Sequence, residues 1–143
     1  MMEDSMFLDL NNPEQAHIDE RLRSDIMIWL NSVRPDNRPH SVAVWFLWDG
    51  ESFLIFSKPN NQKLRNIQQN LNVVLALDDT KGGSDVIAIE GKAELLPQKT
   101  LEIMDQLYIE KYAGHIKNLG WVPESMAAEY SEVMRITPTK FIR

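Results

Sequence analysis

The sequence contains no cysteine, which excludes disulfides, thiolate metal sites and a cysteine nucleophile, and is compatible with a reducing compartment. It has no apolar run of membrane-spanning length. Basic residues are the scarcer charge. Fifteen Lys and Arg against 21 Asp and Glu leave a net charge of -6, which opposes broad attraction to nucleic acid or to an anionic membrane. The three histidines, His17, His40 and His115, lack metal-ligand spacing, and neither a glycine-rich phosphate loop nor a nucleophile elbow is present. The opening MMEDSMFLDLNN puts acidic residues where a signal peptide requires a basic flank and an apolar stretch. The expectation is a cytoplasmic protein with neither a nucleic-acid nor a membrane partner. With no internal repeat, linker or low-complexity segment, the 143 residues read as one domain spanning 1–143 and long enough to bury a core.

What is present is a succession of short periodic segments. Asn12-Pro13-Glu14-Gln15 is a helix start, with Asn as cap, Pro in the first turn and Gln placed to reach back. Ile18, Leu22 and Ile26 then make one apolar stripe, with the helix ending near Ser24. Ile26 to Val33 reads as a strand before the turn at Pro35-Asp36-Asn37. His40 to Trp48 and Ser52 to Ser57 flank Asp49-Gly50, the strongest hairpin signal in the chain. Both faces of Val42 to Trp48 are apolar, so this strand needs cover on both sides, inside a barrel or at a subunit contact. A short helix opens at Asn61, with Leu64, Ile67 and Leu71 on one face. Val73 to Leu77 and Val86 to Leu95 are further strands, with Gly91 marking a bulge or bend. Gln98 to Tyr112 reads as one helix with Leu101, Met104, Leu107 and Tyr108 on a side, and Val133 to Ile136 with Phe141 and Ile142 as a last strand interrupted at Pro138. The expected architecture is a mainly β (α+β), mostly antiparallel barrel of six strands with three peripheral helices.

One charge asymmetry stands out. Ser52 to Leu77 holds Lys58, Lys63 and Arg65 and no acid, an island of +3 that leaves -9 for the remainder. Because the island crosses from a strand end at Ser57 through Pro59-Asn60-Asn61 into a helix, backbone N–H groups, a hydroxyl and cationic side chains can converge on one phosphate. The competing interpretation is a solvated basic helix face. Trp29, Trp45, Trp48 and Trp121 are similarly divided between lining a planar aromatic ligand and filling a core or interface. Trp121 lies in a loop, Gly120-Trp121-Val122-Pro123, where a large ring needs a surface to cover it. The acids Asp78, Asp79, Asp85 and Glu90 suit turns and solvated strand edges better than an acid/base pair. A phosphate site without protein nucleophiles favours chemistry carried by a cofactor.

Three motifs in order, Arg34-Pro35-Asp36-Asn37-Arg38-Pro39-His40, Val44-Trp45-Phe46-Leu47-Trp48-Asp49-Gly50 and Gln62-Lys63-Leu64-Arg65-Asn66-Ile67, resemble the pyridoxamine 5'-phosphate oxidase-like split-barrel family. Within it, the pattern is most similar to the flavin and deazaflavin oxidoreductase branch. Ile89-Glu90-Gly91-Lys92-Ala93 and Arg135-Ile136-Thr137-Pro138-Thr139 extend the resemblance over nearly the whole chain from about Ile18. It implies a six-stranded split β-barrel acting as a homodimer, with two cofactors in grooves at the dimer interface. It also implies that Ser57 and Lys63 hold the cofactor phosphate, with Lys58 in the same basic island and Arg65 or Asn66 nearby. The Ala43-Val44-Trp45 backbone would run beside the flavin ring, and Trp121 would contact the cofactor or substrate of the partner subunit. The ending Thr137-Pro138-Thr139-Lys140-Phe141-Ile142-Arg143 departs from the Arg-Leu-x-Pro terminus of true pyridoxamine phosphate oxidases, so vitamin B6 synthesis is not implied.

The resulting expectation is an oxidoreductase that moves a hydride between a flavin-type cofactor and a small organic acceptor. FMN needs one phosphate site and suits the short basic island, whereas the resemblance favours the deazaflavin F-420 with its acidic tail; both stand. The alternatives are a noncatalytic flavin-binding or ligand-sensing dimer and a purely structural dimerisation module.

Overall fold

Asn12 opens the first helix as its side chain accepts from the backbone N–H groups of Glu14 and Gln15 at 3.0 and 3.2 Å. In the computed structural model, which describes residues 8–79 and 81–143, this helix is α1 (Pro13–Ser24). Gln15 reaches back beyond Asn12 and accepts from Asp9 N–H. Ile18 and Leu22 are fully buried, while Ile26 lies past the helix, which Asp25 terminates. The argument against a signal peptide rests largely on residues 1–7, which lie outside the described residues.

The strands β1 (Met27–Val33), β2 (Pro39–Trp45), β3 (Leu47–Trp48), β4 (Phe53–Ser57), β5 (Asn72–Leu77), β6 (Ile87–Lys99) and β7 (Glu132–Ile142) form one antiparallel sheet in the order β2-β1-β5-β6-β7-β4-β3. Its two edge strands, β2 and β3, are consecutive pieces of one stretch of chain, so the sheet begins and ends on the same segment and curls into a split barrel. Seven strands therefore replace the six expected. The continuous strand read over His40 to Trp48 breaks at Phe46, whose N–H is taken by the Tyr112 hydroxyl and whose carbonyl accepts from Lys111 Nζ at 2.9 Å. With ladder bonds diverted to side chains, the strand turns from one edge of the sheet to the other.

Inside the barrel pack Ile28, Leu30, Val44, Phe46, Trp48, Phe53, Ile55, Leu75, Ile89, Ile136 and Phe141. A second cluster outside it joins Leu47, Leu54, Phe56 and Val133 to Tyr108, Tyr112, Ile116 and Met126. These come from α4 (Gln106–Asn118) and α5 (Pro123–Glu129). The two apolar faces of Val44 to Trp48 are thus covered by the barrel interior on one side and by helices on the other.

Five helices stand among the described residues where three were expected. The helix read over Gln98 to Tyr112 is replaced by the end of β6, by α3 (Thr100–Ile103) and by α4, which starts afresh where the Asp105 side chain accepts from Tyr108 N–H. Leu101 and Leu107 are consequently exposed, and so is Leu71, which lies beyond α2 (Gln62–Gln69). Pro138 does not interrupt β7, because it pairs with Gly91 at a register shift where the ladder is already irregular. Gly91 is required there: a Cβ would stand 2.8 Å from Ile136 Cγ2 and 2.9 Å from the Thr137 carbonyl oxygen.

Candidate functional site

A cavity of about 540 Å³ opens where the end of β4 meets the start of α2 under the α4–α5 pair. Ala43, Val44 and Trp45 of β2 line it together with Tyr108 of α4 and Met126 of α5. Leu119, Trp121 and Tyr130 complete the apolar part, while Lys58, Asn61 and Lys63 gather at the polar end beside Phe56. The volume lies in the range of small-molecule sites.

Trp45 is held by stacking. Its ring lies 4.5 Å from that of Tyr112 at an interplanar angle of 9°, with His115 edge-on at 5.9 Å. Tyr112 is itself fixed, since its hydroxyl accepts from Phe46 N–H at 2.8 Å and can donate to the carbonyl of Ile26 or Phe46. Burial pushes the Tyr108 and Tyr112 phenols well above the ordinary tyrosine range, so both are neutral wall material. Lys111 stands behind this wall over the Phe46 ring, where burial lowers its ammonium to about 8. Elsewhere in the lining the Trp121 ring lies 5.8 Å from that of Tyr130.

The polar end is cationic. Lys63 is buried at 8% exposure and makes no hydrogen bond or ion pair among the described residues. Burial, and then the charge of Lys58, lower its pKa below the usual lysine range. Lys58 instead pairs with Glu129 at 3.1 Å, which raises its pKa. His40 lies within electrostatic reach of Arg34 and Lys63, and burial foremost, with those two charges, lowers its pKa. Its Nδ1 is buried without a partner. Asn61, the residue capping α2, makes no side-chain capping bond, so its helix end keeps backbone donors at the mouth of the cationic region.

Of the residues singled out from sequence, the cavity brings together Ala43, Val44, Trp45, Lys58, Lys63 and Trp121. Ser57, Arg65 and Asn66 lie outside its lining. Ser57 is fully buried and donates to the Lys58 carbonyl at 2.9 Å, fixing the chain where it leaves β4. Arg65 is exposed and donates to Gln62 Oε1 at 2.7 Å. Asn66 is fully buried, donating to Ser32 Oγ at 3.0 Å and accepting from Gln62 Nε2 at 2.8 Å, which ties α2 to β1.

Trp48 belongs to the core, with Nε1 donating to Asp19, and Trp29 is half exposed on the outer face of β1. Sequence reasoning missed Asn61, Phe56, Tyr108, Leu119, Met126 and Tyr130 as cavity residues. Tyr108 was legible only as one apolar member of a helix face and Asn61 only as the start of a helix, and the others carry no local signal. Asp85 is committed elsewhere, to His17, Arg21 and Arg143. Among the described residues no group of three His, Asp or Glu side chains could hold a metal ion, and no helix is long and apolar enough to cross a membrane.

Several solved structures share this architecture. An F420 reductase is 26% identical, with a TM-score of 0.68 over 87% of this chain and 94% of that one. The conserved hypothetical protein Rv2991 from Mycobacterium tuberculosis is 21% identical, with a TM-score of 0.72 over 98% and 88%. HutZ, a heme storage protein from Vibrio cholerae, is 14% identical, with a TM-score of 0.63 over 89% and 92%, and shares the fold alone. No curated protein matches the chain in sequence. The family model described as pyridoxamine 5'-phosphate oxidase matches residues 15–142, nearly the whole described chain, and the protein is therefore a member of the pyridoxamine 5'-phosphate oxidase family.

Proposed function

We propose that this protein is an oxidoreductase that binds FMN or F-420 and moves a hydride between that cofactor and a small organic acceptor. The observation that carries the reading is Lys63, a largely buried lysine with no partner among the described residues, whose side chain lines an aromatic-walled cavity. A partly desolvated charge without a counter-ion is costly, and its natural complement is an anion that enters the cavity. The donor set fits a phosphate monoester, with Lys63 and Lys58 supplying charge and the start of α2 backbone N–H groups.

When bound, the isoalloxazine or deazaflavin ring would supply the hydride chemistry. The chain's own contribution is placement. The β2 wall and Trp45, locked on Tyr112, would orient the ring, Trp121 and Tyr130 would exclude water, and Lys63 would anchor the phosphate. Met27, Trp29 and Val74 expose an apolar outer face on β1 and β5 beside the Ala43 wall, and a homodimer formed through that face supports the cofactor groove. The same fold houses a heme storage protein, which keeps a second reading in view, a noncatalytic flavin-binding or ligand-sensing dimer.

The test is an absorbance spectrum of the purified protein, mass analysis of anything released on denaturation, and titration with FMN and F-420. Saturable binding of either that weakens at least tenfold in Lys63→Ala supports the reading, and binding of neither ends it. Reoxidation of the reduced complex by a quinone faster than free reduced cofactor shows would decide for the enzyme over the sensor.

A further inference from the structure

The two ammonium groups at the polar end of the cavity are not equivalent. Lys63 is buried and has no partner among the described residues, whereas Lys58, on the segment between β4 and α2, is held by Glu129 at 3.1 Å with its Nζ 5.5 Å from the centre of the Tyr130 ring. Glu129 is the last residue of α5, where the helix carbonyls already carry partial negative charge, so its carboxylate needs a nearby cation. Both side chains of this pair are about half exposed, at 46% and 48%. An ion pair so exposed holds its geometry weakly and yields to a stronger competitor.

Resting on the reading of the cavity as a phosphate-monoester site, we propose that Glu129 sets its affinity by competing with the ligand phosphate for Lys58, which changes partner from Glu129 to the phosphate on binding. The competition is uneven by charge. A phosphate monoester carries between one and two negative charges and three acceptor oxygens near pH 7, against one charge on the carboxylate. Lys63 anchors the anion first because it has no partner to give up, and Lys58 then follows. Every phosphate-bearing ligand must take Lys58 from Glu129, a cost that a phosphate-free analogue avoids. Tyr130, next to Glu129 and part of the cavity lining, loses the cation above its ring in the same event. Loading the site thus removes one polar tie between α5 and the β4–α2 segment, while the apolar packing that Met126 shares with Phe56 remains.

The experiment compares FMN, F-420 and riboflavin, which lacks the phosphate, in wild type, Glu129→Gln, Lys58→Met and the double variant at one fixed salt concentration. Glu129→Gln is expected to tighten FMN, the phosphate monoester, by about two- to fivefold, the scale of an exposed ion pair, to tighten the singly charged phosphodiester F-420 less, and to leave riboflavin unchanged. Lys58→Met weakens the phosphate ligands, and adding Glu129→Gln to it brings no further gain. Equal tightening with and without Lys58, or no tightening at all, overturns the competition while leaving the phosphate site standing. Failure of the wild type and all variants to bind any of the three ligands overturns both. Both substituted residues are solvent-exposed, and unchanged thermal midpoints certify that the variants are folded.

Discussion

Lys63 is the residue at which the proposed binding would oppose stability. It is largely buried with no counter-charge among the described residues, and replacing a desolvated charge by an apolar chain of similar volume is often neutral or stabilising. Lys63→Met should therefore raise the stability of the ligand-free protein by about 1 kcal/mol or less while weakening phosphate-ligand binding, measured by urea unfolding and by titration. Because the folded state lowers the lysine's pKa, wild type recovers stability as pH rises from the folded value towards the unfolded one, and the advantage of the variant narrows over that alkaline window. The sequence marked Lys63 through its place in an acid-free island and through its resemblance to a phosphate-holding position. Its lack of a partner was not legible, since it depends on which side chains the fold brings near.

At the scale of elements, the break at Phe46 links the helical layer to the cavity. Tyr112 and Lys111 of α4 take the backbone bonds that a continuous strand would have kept, and Tyr112 also supports the Trp45 wall. Tyr112→Phe keeps the ring stack and removes the hydroxyl, leaving the buried Phe46 N–H without its acceptor. A loss of about 1–3 kcal/mol is expected, with FMN or F-420 affinity reduced as Trp45 loosens, and urea unfolding with parallel titration checks both. Gly91 governs the β6–β7 crossing in the same way. Gly91→Ala pushes a methyl group into the Thr137 backbone, and a drop of about 1–3 kcal/mol is expected from the overpacking. The bulge at Gly91 was readable in the sequence because one glycine in an apolar strand pattern has few structural uses. The split at Phe46 was not, because Phe46 has ordinary strand character and its bonding partners lie more than 60 residues away in the chain.

For the whole molecule, Asp85 gathers the chain ends. Its buried carboxylate accepts from His17 of α1 and from Arg143 near the C-terminus, with Arg21 3.3 Å away. Burial raises its pKa, but the hydrogen bonds from His17 and Arg143 and the charges of His17 and Arg21 outweigh it and hold the carboxyl at about 2. A folded-state pKa below the unfolded value of 3.8 contributes stability that is complete above pH 4 and is lost as pH falls through about 2. Asp85→Asn should cost about 2 kcal/mol at pH 7, and the gap to wild type should close near pH 2, read by thermal unfolding across that range. The apolar outer face of β1 and β5 makes a second claim at this scale. Trp29→Lys should shift the protein to monomer in sedimentation velocity, and a wild type already monomeric at micromolar concentration would remove the dimer.

The amino-acid sequence by itself determined the local alphabet of the protein: the α1 cap at Asn12, the Asp49-Gly50 hairpin, the alternating apolar strands, the bulge at Gly91 and the basic island around Lys58 and Lys63. Each of these follows from neighbours within a few residues, where propensity, capping and side-chain period act. Only the tertiary structure decided that β2 and β3 close the barrel, that the helical region after β6 restarts at Asp105, and that Tyr108, Met126 and Tyr130 line one cavity with Trp45. It also separated Lys63, which has no partner among the described residues, from Lys58, which Glu129 holds. Those outcomes depend on contacts between segments distant in sequence, where packing and charge pairing choose among arrangements that local pattern leaves equal.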